Sequence, residues 1–233
     1  MLGSQAGNSR RDRGLKSRSP ISWRQRSLRP EARVIRSPAD PVELRSLSVG
    51  DVFYLSGVIA TSRDRAYARI LLEGRPPPFD LEGKAVLHAG PAVRREGESW
   101  RITSMGPTTS ARLDELHARF IEATKAALLV GKGGVSPEAG RALASLGAIY
   151  AEMPGGLGAL GASSVRRVIG VEWLDLGVTE AVWLLEVERL GPLVVSVDST
   201  GRNLREENEA RLREAGLEAS RLMASRLGAK FKR

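Results

Sequence analysis

Apolar positions gather into short runs from about Val34 onward. Val52-Phe53-Tyr54-Leu55 and Val58-Ile59-Ala60 are β-branched and aromatic, the composition of a strand, with Ser56-Gly57 breaking the run. Ala66–Leu72 fits a short helix, and the prolines of Gly74–Pro78 stop regular structure after it. Lys84–Gly90 and Ser99–Ser104 read as paired strands joined by the charged turn Arg94-Arg95-Glu96-Gly97. Leu113, Leu116, Phe120, Ile121, Thr124 and Ala127 recur at helical spacing, which predicts a helix from Ser110. Leu128-Leu129-Val130 is a short buried strand. Ser136-Pro137-Glu138 carries the marks of a helix start: a capping hydroxyl, a proline at the first position and an acid in the first turn. Ala148–Ala151 predicts another strand, and Gly155–Val168 a glycine-rich helix whose small residues allow close packing. Val182–Val187 and Leu193–Val197 predict two strands, punctuated by Gly191-Pro192. Beyond residue 203, Leu204, Leu212, Leu217, Leu222 and Leu227 stand among charges, the pattern of one terminal amphipathic helix.

Strands alternate with helices from Ser110 onward, which favours an α/β fold with a largely parallel sheet and right-handed crossovers. The earlier, hairpin-like strands suggest a second sheet. The expected organisation is an N-terminal extension over 1–32, a folded domain over 33–202 and a C-terminal helix over 203–233.

Charge sharpens those boundaries. The formal net charge is +9 over 233 residues, but residues 1–36 hold ten Lys/Arg against Asp12 and Glu31, so the rest of the chain is close to neutral. An Arg- and Ser-rich stretch with few apolar groups cannot bury enough surface to offset its ordering entropy, so disorder is expected there. Nucleic-acid binding would then belong to the tail alone, because the remainder has few aromatics and no nucleic-acid motif. Deleting residues 1–31 should remove any salt-sensitive DNA binding and leave the activity of the folded domain intact.

No run reaches the length a membrane helix needs, and no secretory signal pattern opens the chain. A cytoplasmic location and no membrane partner are expected. The chain has no cysteine, which excludes disulfides, thiol catalysis and self-ligated iron–sulfur clusters.

The chemistry concentrates in Gly106-Pro107-Thr108-Thr109-Ser110-Ala111-Arg112, where a strand hands over to a helix, and in Gly131-Lys132-Gly133-Gly134 one helix later. Arg63 follows the first strand in Ser62-Arg63-Asp64. In a parallel sheet these strand-to-helix loops open at one end, where ligands commonly bind. Three cations, hydroxyls and helix-start N–H groups at one mouth suit a small dianion such as a dicarboxylate. The residues alone leave simpler roles open. Arg63 can be a strand-end charge paired with Asp64, the threonines can be caps, and the glycine loop can be a turn with an exposed lysine. That loop lacks the spacing and the following Ser/Thr of a phosphate-binding P-loop. His88 and His117 read as structural, and Glu180 and Trp183 as packing residues at a strand start.

These residues also resemble a family. Gly50–Gly57, Arg63-Asp64-Arg65-Ala66, Gly106–Arg112, Gly131-Lys132-Gly133, Asp175-Leu176-Gly177 and Glu180-Ala181-Val182-Trp183 look like the β subunit, or C-terminal domain, of class I iron–sulfur fumarate hydratases and L(+)-tartrate dehydratases. The likeness covers about residues 33–201. It implies a swivelling β/β/α three-layer domain and hydration of fumarate to (S)-malate, with L(+)-tartrate or mesaconate as alternative substrates. It implies a partner α subunit, in an α2β2 assembly, that holds a 4Fe–4S cluster, none being bound by this chain alone. Thr108 corresponds to the proposed base at C3, and Arg63, Arg112 and Lys132 to the residues that bind the substrate carboxylates. The family often has histidine where this chain has Tyr67, and a histidine that oriented the arginine would be replaced there.

Overall fold

The computed structural model describes residues 33–230, with side chains described to residue 223. The expected extension over 1–32 lies outside the described residues, as do the last three residues of the chain.

The chain begins with an edge strand, β1 (Val34–Ser37), and a one-turn helix, α1 (Pro41–Arg45). Then come β2 (Val52–Thr61), α2 (Asp64–Leu71) and β3 (Ala85–Leu87). A hairpin follows, β4 (Ala92–Glu96) and β5 (Ser99–Ser104). A three-ten turn over Ser110–Leu116 leads into α3 (His117–Thr124), β6 (Leu128–Gly131), α4 (Pro137–Ser145) and β7 (Ile149–Glu152). The last elements are α5 (Gly158–Ser163), β8 (Val165–Glu172), β9 (Val182–Val197) and α6 (Leu204–Lys230).

Seven strands form one sheet in the order β1-β2-β3-β6-β7-β9-β8. β1, β2, β3, β6 and β7 run parallel to one another, as expected for strands linked through helices. β9 runs antiparallel to β7 and also pairs with β2, so β2, β3, β6, β7 and β9 close into a five-strand ring. The α/β class and the run of parallel strands are as expected; the main sheet closes on itself through the single 16-residue strand β9, and β4 and β5 form a second, two-stranded sheet.

Alternation along the strands fills two cores. Ala85, Leu87, Leu128, Val130, Ile149 and Ala151 point inside the ring with Phe53, Trp183, Leu185 and Val195. Val86, Leu129 and Tyr150 point outward against Tyr67, Phe120 and Leu143 of α2, α3 and α4. Strands buried on both faces read as continuous apolar runs, which is why β6 and β7 are plain in the sequence.

Four local expectations change. β3 joins the central sheet, and the partner of β5 is β4, with a turn after Glu96. Ala85, Val86 and Leu87 are all buried and fit between two parallel strands, whereas β4 is largely exposed and charged. The glycine-rich helix stops at Ser163, and the β-branched residues of Val165–Glu172 pair with β9. Its small residues do serve close packing, since a Cβ on Gly161 would overlap the Met105 carbonyl. The two strands over 182–197 are one. The leucines of α6 are not on one face: Leu212, Leu217 and Leu222 are all more than half exposed. Five-residue steps turn each of them about 140° from the last.

Candidate functional site

The carboxyl ends of the parallel strands carry the candidate residues. β2 ends at Thr61 and runs into Ser62-Arg63-Asp64, β3 into His88-Ala89-Gly90, β6 into Lys132, and β7 into Met153-Pro154. The stretch Gly106–Ser110 is laid between the ends of β3 and β6. Pro107 bridges Ala89, and Thr109 bridges Lys132. The Thr108 N–H donates to the His88 carbonyl at 2.6 Å, the Lys132 N–H to the Thr108 carbonyl at 3.0 Å, and the Ser110 N–H to the Lys132 carbonyl at 3.1 Å. Thr108 and Lys132 are thus joined by one backbone bond. Thr109 makes no side-chain capping bond, and the turn after it is three-ten, not the α-helix expected from Ser110.

Thr108 Oγ1 donates to the His88 carbonyl at 3.0 Å, so its lone pairs are left to accept. Among the described residues no carboxylate lies within 4.0 Å of the Lys132 ammonium. The lysine instead lines a cavity of about 480 Å³ with Thr109, Glu152, Met153, Pro154 and Leu204.

The two arginines are each held by a carboxylate of this chain. Arg112 Nη2 lies 3.0 Å from Asp64 Oδ2, with both side chains nearly half exposed. Arg63 pairs with Glu180, Nη2 to Oε1 at 3.1 Å, and not with the neighbouring Asp64. Its Nη1 donates to the Thr179 carbonyl at 3.4 Å. Glu180 also accepts the Arg65 N–H, so it is an electrostatic tie and not only a packing residue. Gly90 has to be glycine for this contact, because a Cβ there would sit 2.6 Å from Arg63 Nη1 and from the Thr179 carbonyl. Arg63 Nε and Ser62 Oγ, at the same mouth, are buried without a hydrogen-bond partner. Glu180→Ala should therefore raise KM for a dianion roughly tenfold through a loosened Arg63, with kcat within twofold; steady-state kinetics checks this.

Asp64 begins α2 directly after Arg63 and ties that helix start to Arg112. The structure therefore joins Thr108 to Lys132, and Arg112 to Asp64, the residue that follows Arg63. The cavity beside Lys132 is lined by neither arginine nor by Thr108.

Beneath this surface lies a buried polar cluster. His88 Nδ1 is 2.7 Å from Ser110 Oγ, and His88 Nε2 is 2.9 Å from Tyr67 Oη. Tyr150 Oη donates to Ser110 Oγ at 2.9 Å. His117 Nε2 faces the Ser110 carbonyl at 3.2 Å and Asp114 Oδ1 at 3.7 Å. The Tyr67 hydroxyl reaches the two histidines and not the Arg63 guanidinium, so it does not orient that side chain. Both histidines are fully buried and hydrogen-bonded within this cluster.

Burial holds the His88 ring well below its ordinary pKa, helped by His117 and Arg112, and pushes His117 down to about 4 against the pull of Asp114. A depressed histidine is neutral when folded and takes up a proton on unfolding. Its contribution is complete above the unfolded value near 6.5 and is lost as pH falls toward 4. For His117 that is about 3 kcal/mol. The melting temperature should fall steeply over this window, and less steeply in His117→Gln.

Asp64, Glu180, Ser110 and Tyr150 were not singled out as site-building residues in the sequence. Asp64 stood inside the Arg-Asp motif. Glu180 lies far along the chain from Arg63 and carries no local signal of the pairing.

The fold is a mixed α/β domain with a sheet-dominated core, and cations and a hydroxyl stand past the carboxyl ends of its parallel strands. The family model described as Fumarase C-terminus matches residues 17–208. L(+)-tartrate dehydratase subunit beta of Escherichia coli (strain K12) is 40% identical over 177 residues, covering 76% of this chain and 88% of that one. The Methanocaldococcus jannaschii protein named "Putative L(+)-tartrate dehydratase subunit beta" is 44% identical over 169 residues, 71% of this chain and 87% of that one. A Geobacillus stearothermophilus protein named "Putative fumarate hydratase class I" is 33% identical over 182 residues, 77% of this chain and 35% of that one. The chain belongs to the fumarase C-terminal family, whose named members here are hydro-lyases or their subunits. The matched stretch reaches upstream of the residues that carry the resemblance and ends early in α6.

Proposed function

We propose that this chain is the β subunit of a cytoplasmic hydro-lyase that adds or removes water across C2–C3 of a four-carbon dicarboxylate. The observation that carries it is the bond from the Lys132 N–H to the Thr108 carbonyl, with Arg63 just past the end of β2 and Arg112 in the turn that follows Thr109. Lys132 and Arg112 bind the substrate carboxylates, and Arg63, braced by Glu180, adds positive field at the same mouth. Thr108 Oγ1 handles the C3 proton.

A threonine hydroxyl is a weak base, and here its own hydrogen is directed at a main-chain carbonyl, which cannot take it away. A carboxylate from an α subunit facing this mouth supplies the missing acceptor. The 4Fe–4S cluster implied by the family needs thiolates, and this chain has no cysteine to offer. It belongs on the same partner, in an α2β2 assembly.

Fumarate is the first substrate reading. L(+)-tartrate is the second, favoured by relatives of that name at 40% and 44% identity against 33% for the fumarase. Purified alone, the chain should show no turnover of either compound. Mixed with a cysteine-bearing α subunit, it should turn over one of them, and a panel of fumarate, L(+)-tartrate and mesaconate separates the readings. Full activity from this chain alone would overturn the proposal.

A further inference from the structure

With each of its contacts made as a hydrogen bond, the 3.5 Å one included, the buried cluster beneath Thr108–Arg112 has a single arrangement of hydrogens with neutral imidazoles. Tyr150 Oη donates to Ser110 Oγ. The Ser110 hydroxyl hydrogen therefore goes to His88 Nδ1, 2.7 Å away, and that nitrogen accepts. A neutral His88 then carries its hydrogen on Nε2 and donates to Tyr67 Oη. The opposite end gives the same answer. His117 Nε2 faces the Ser110 carbonyl, which only accepts, so that nitrogen carries the hydrogen. His117 Nδ1 accepts from Tyr67 Oη at 3.5 Å, the longest link. The two lines meet at Tyr67, which accepts from one histidine and donates to the other. The chain of bonds starts at the Ser110 hydroxyl and returns to the Ser110 carbonyl.

We propose that this closed circuit positions Thr108, with His88 and Ser110 as positioning residues. The catalytic part rests on the reading of Thr108 given above. His88 holds Thr108 directly, since its carbonyl accepts both the N–H and the hydroxyl of the threonine. Its ring is fixed in turn by Ser110 and Tyr67. Ser110, Tyr67, His88, His117 and Tyr150 are all buried, so each link lost leaves a polar atom without water to replace it. Gly131 belongs to the same device. A Cβ on it would overlap Ser110 Oγ and come within 3.1 Å of His88 Nδ1 and Tyr150 Oη. That explains the first glycine of Gly131-Lys132-Gly133 without any demand on its backbone angles.

The test combines kinetics of the reconstituted complex with ¹⁵N NMR of the histidine-labelled full-length chain. Wild type should show both histidines neutral and protonated on Nε2 at pH 7. Ser110→Ala should release the His88 tautomer, leave that of His117 in place, and lower kcat roughly 10- to 100-fold with KM within threefold. The circular-dichroism melt shows that the variant is folded at the assay temperature. Tyr67→Phe, which leaves Ser110 and Gly131 untouched, should produce the same split. A His88 protonated on Nδ1 in wild type would overturn the circuit. Wild-type kcat in folded Ser110→Ala and Tyr67→Phe, beside an impaired Thr108→Ala, would overturn the positioning role. Wild-type kinetics in Thr108→Ala itself would remove the site reading and the positioning role together, while the NMR still reports the tautomers.

Discussion

Thr108→Ala in the reconstituted complex should lower kcat about 10²- to 10⁴-fold, the range lost when a positioned proton-transfer group is removed. KM should stay within a few-fold, because the cations that hold the carboxylates remain. The geometry argues for a clean effect. The Thr108 main chain is tied at both ends, N–H to His88 and carbonyl to the Lys132 N–H, and these bonds survive the substitution. Only the Oγ1 bond to the His88 carbonyl is lost, and that carbonyl still accepts the Thr108 N–H. Thr108→Val keeps the shape without the hydroxyl and should match the alanine variant. A primary isotope effect on substrate deuterated at C3, measured in wild type, asks whether that proton is in flight in the slow step. A kcat within twofold of wild type in either variant would remove Thr108 from the chemistry.

The sequence and the structure agree where chemistry is local. β6 and β7 are legible because Leu128–Val130 and Ala148–Ala151 are buried on both faces and show unbroken apolar runs. The start of α4 is legible because Ser136 and Pro137 do at the helix end what their types predict: the Ser136 hydroxyl accepts the Ala139 N–H at 3.2 Å. Thr108, Arg112 and Lys132 stand out because glycine-bounded loops after apolar runs place them at one end of the sheet. Tertiary facts are the ones that escape. Nothing near Gly155–Val168 announces that β9 will offer an antiparallel edge to Val165–Glu172. Ring closure depends on one strand reaching β2, β7 and β8, a property of length and bend that short-range patterns do not carry. The partners of the arginines escape for the same reason. Glu180 meets Arg63, and Asp64 meets Arg112, only because separate loops converge on one mouth.

That convergence also sets the expectation for Arg112. Arg112→Ala should raise KM for the dicarboxylate roughly 10- to 100-fold, as expected for losing a charge-assisted hydrogen bond, and change kcat by less than fivefold. Of the guanidinium donors only Nη2 meets a partner among the described residues, Asp64 at 3.0 Å, so the others are available to a substrate carboxylate. With both side chains nearly half exposed, the pair itself adds little stability, and the variant should melt close to wild type. Asp64 aims the guanidinium, so Asp64→Asn should raise KM in the same direction but only two- to fivefold, because the amide oxygen still accepts the bond. Arg112→Lys keeps the charge and loses the planar fork, and should recover less than half of the lost binding free energy. Isothermal titration with a non-reacting dicarboxylate, run on the complex, measures binding apart from turnover. Equal affinity in Arg112→Ala and wild type would place the second carboxylate elsewhere, and the remaining candidates on this chain are Lys132 and the braced Arg63.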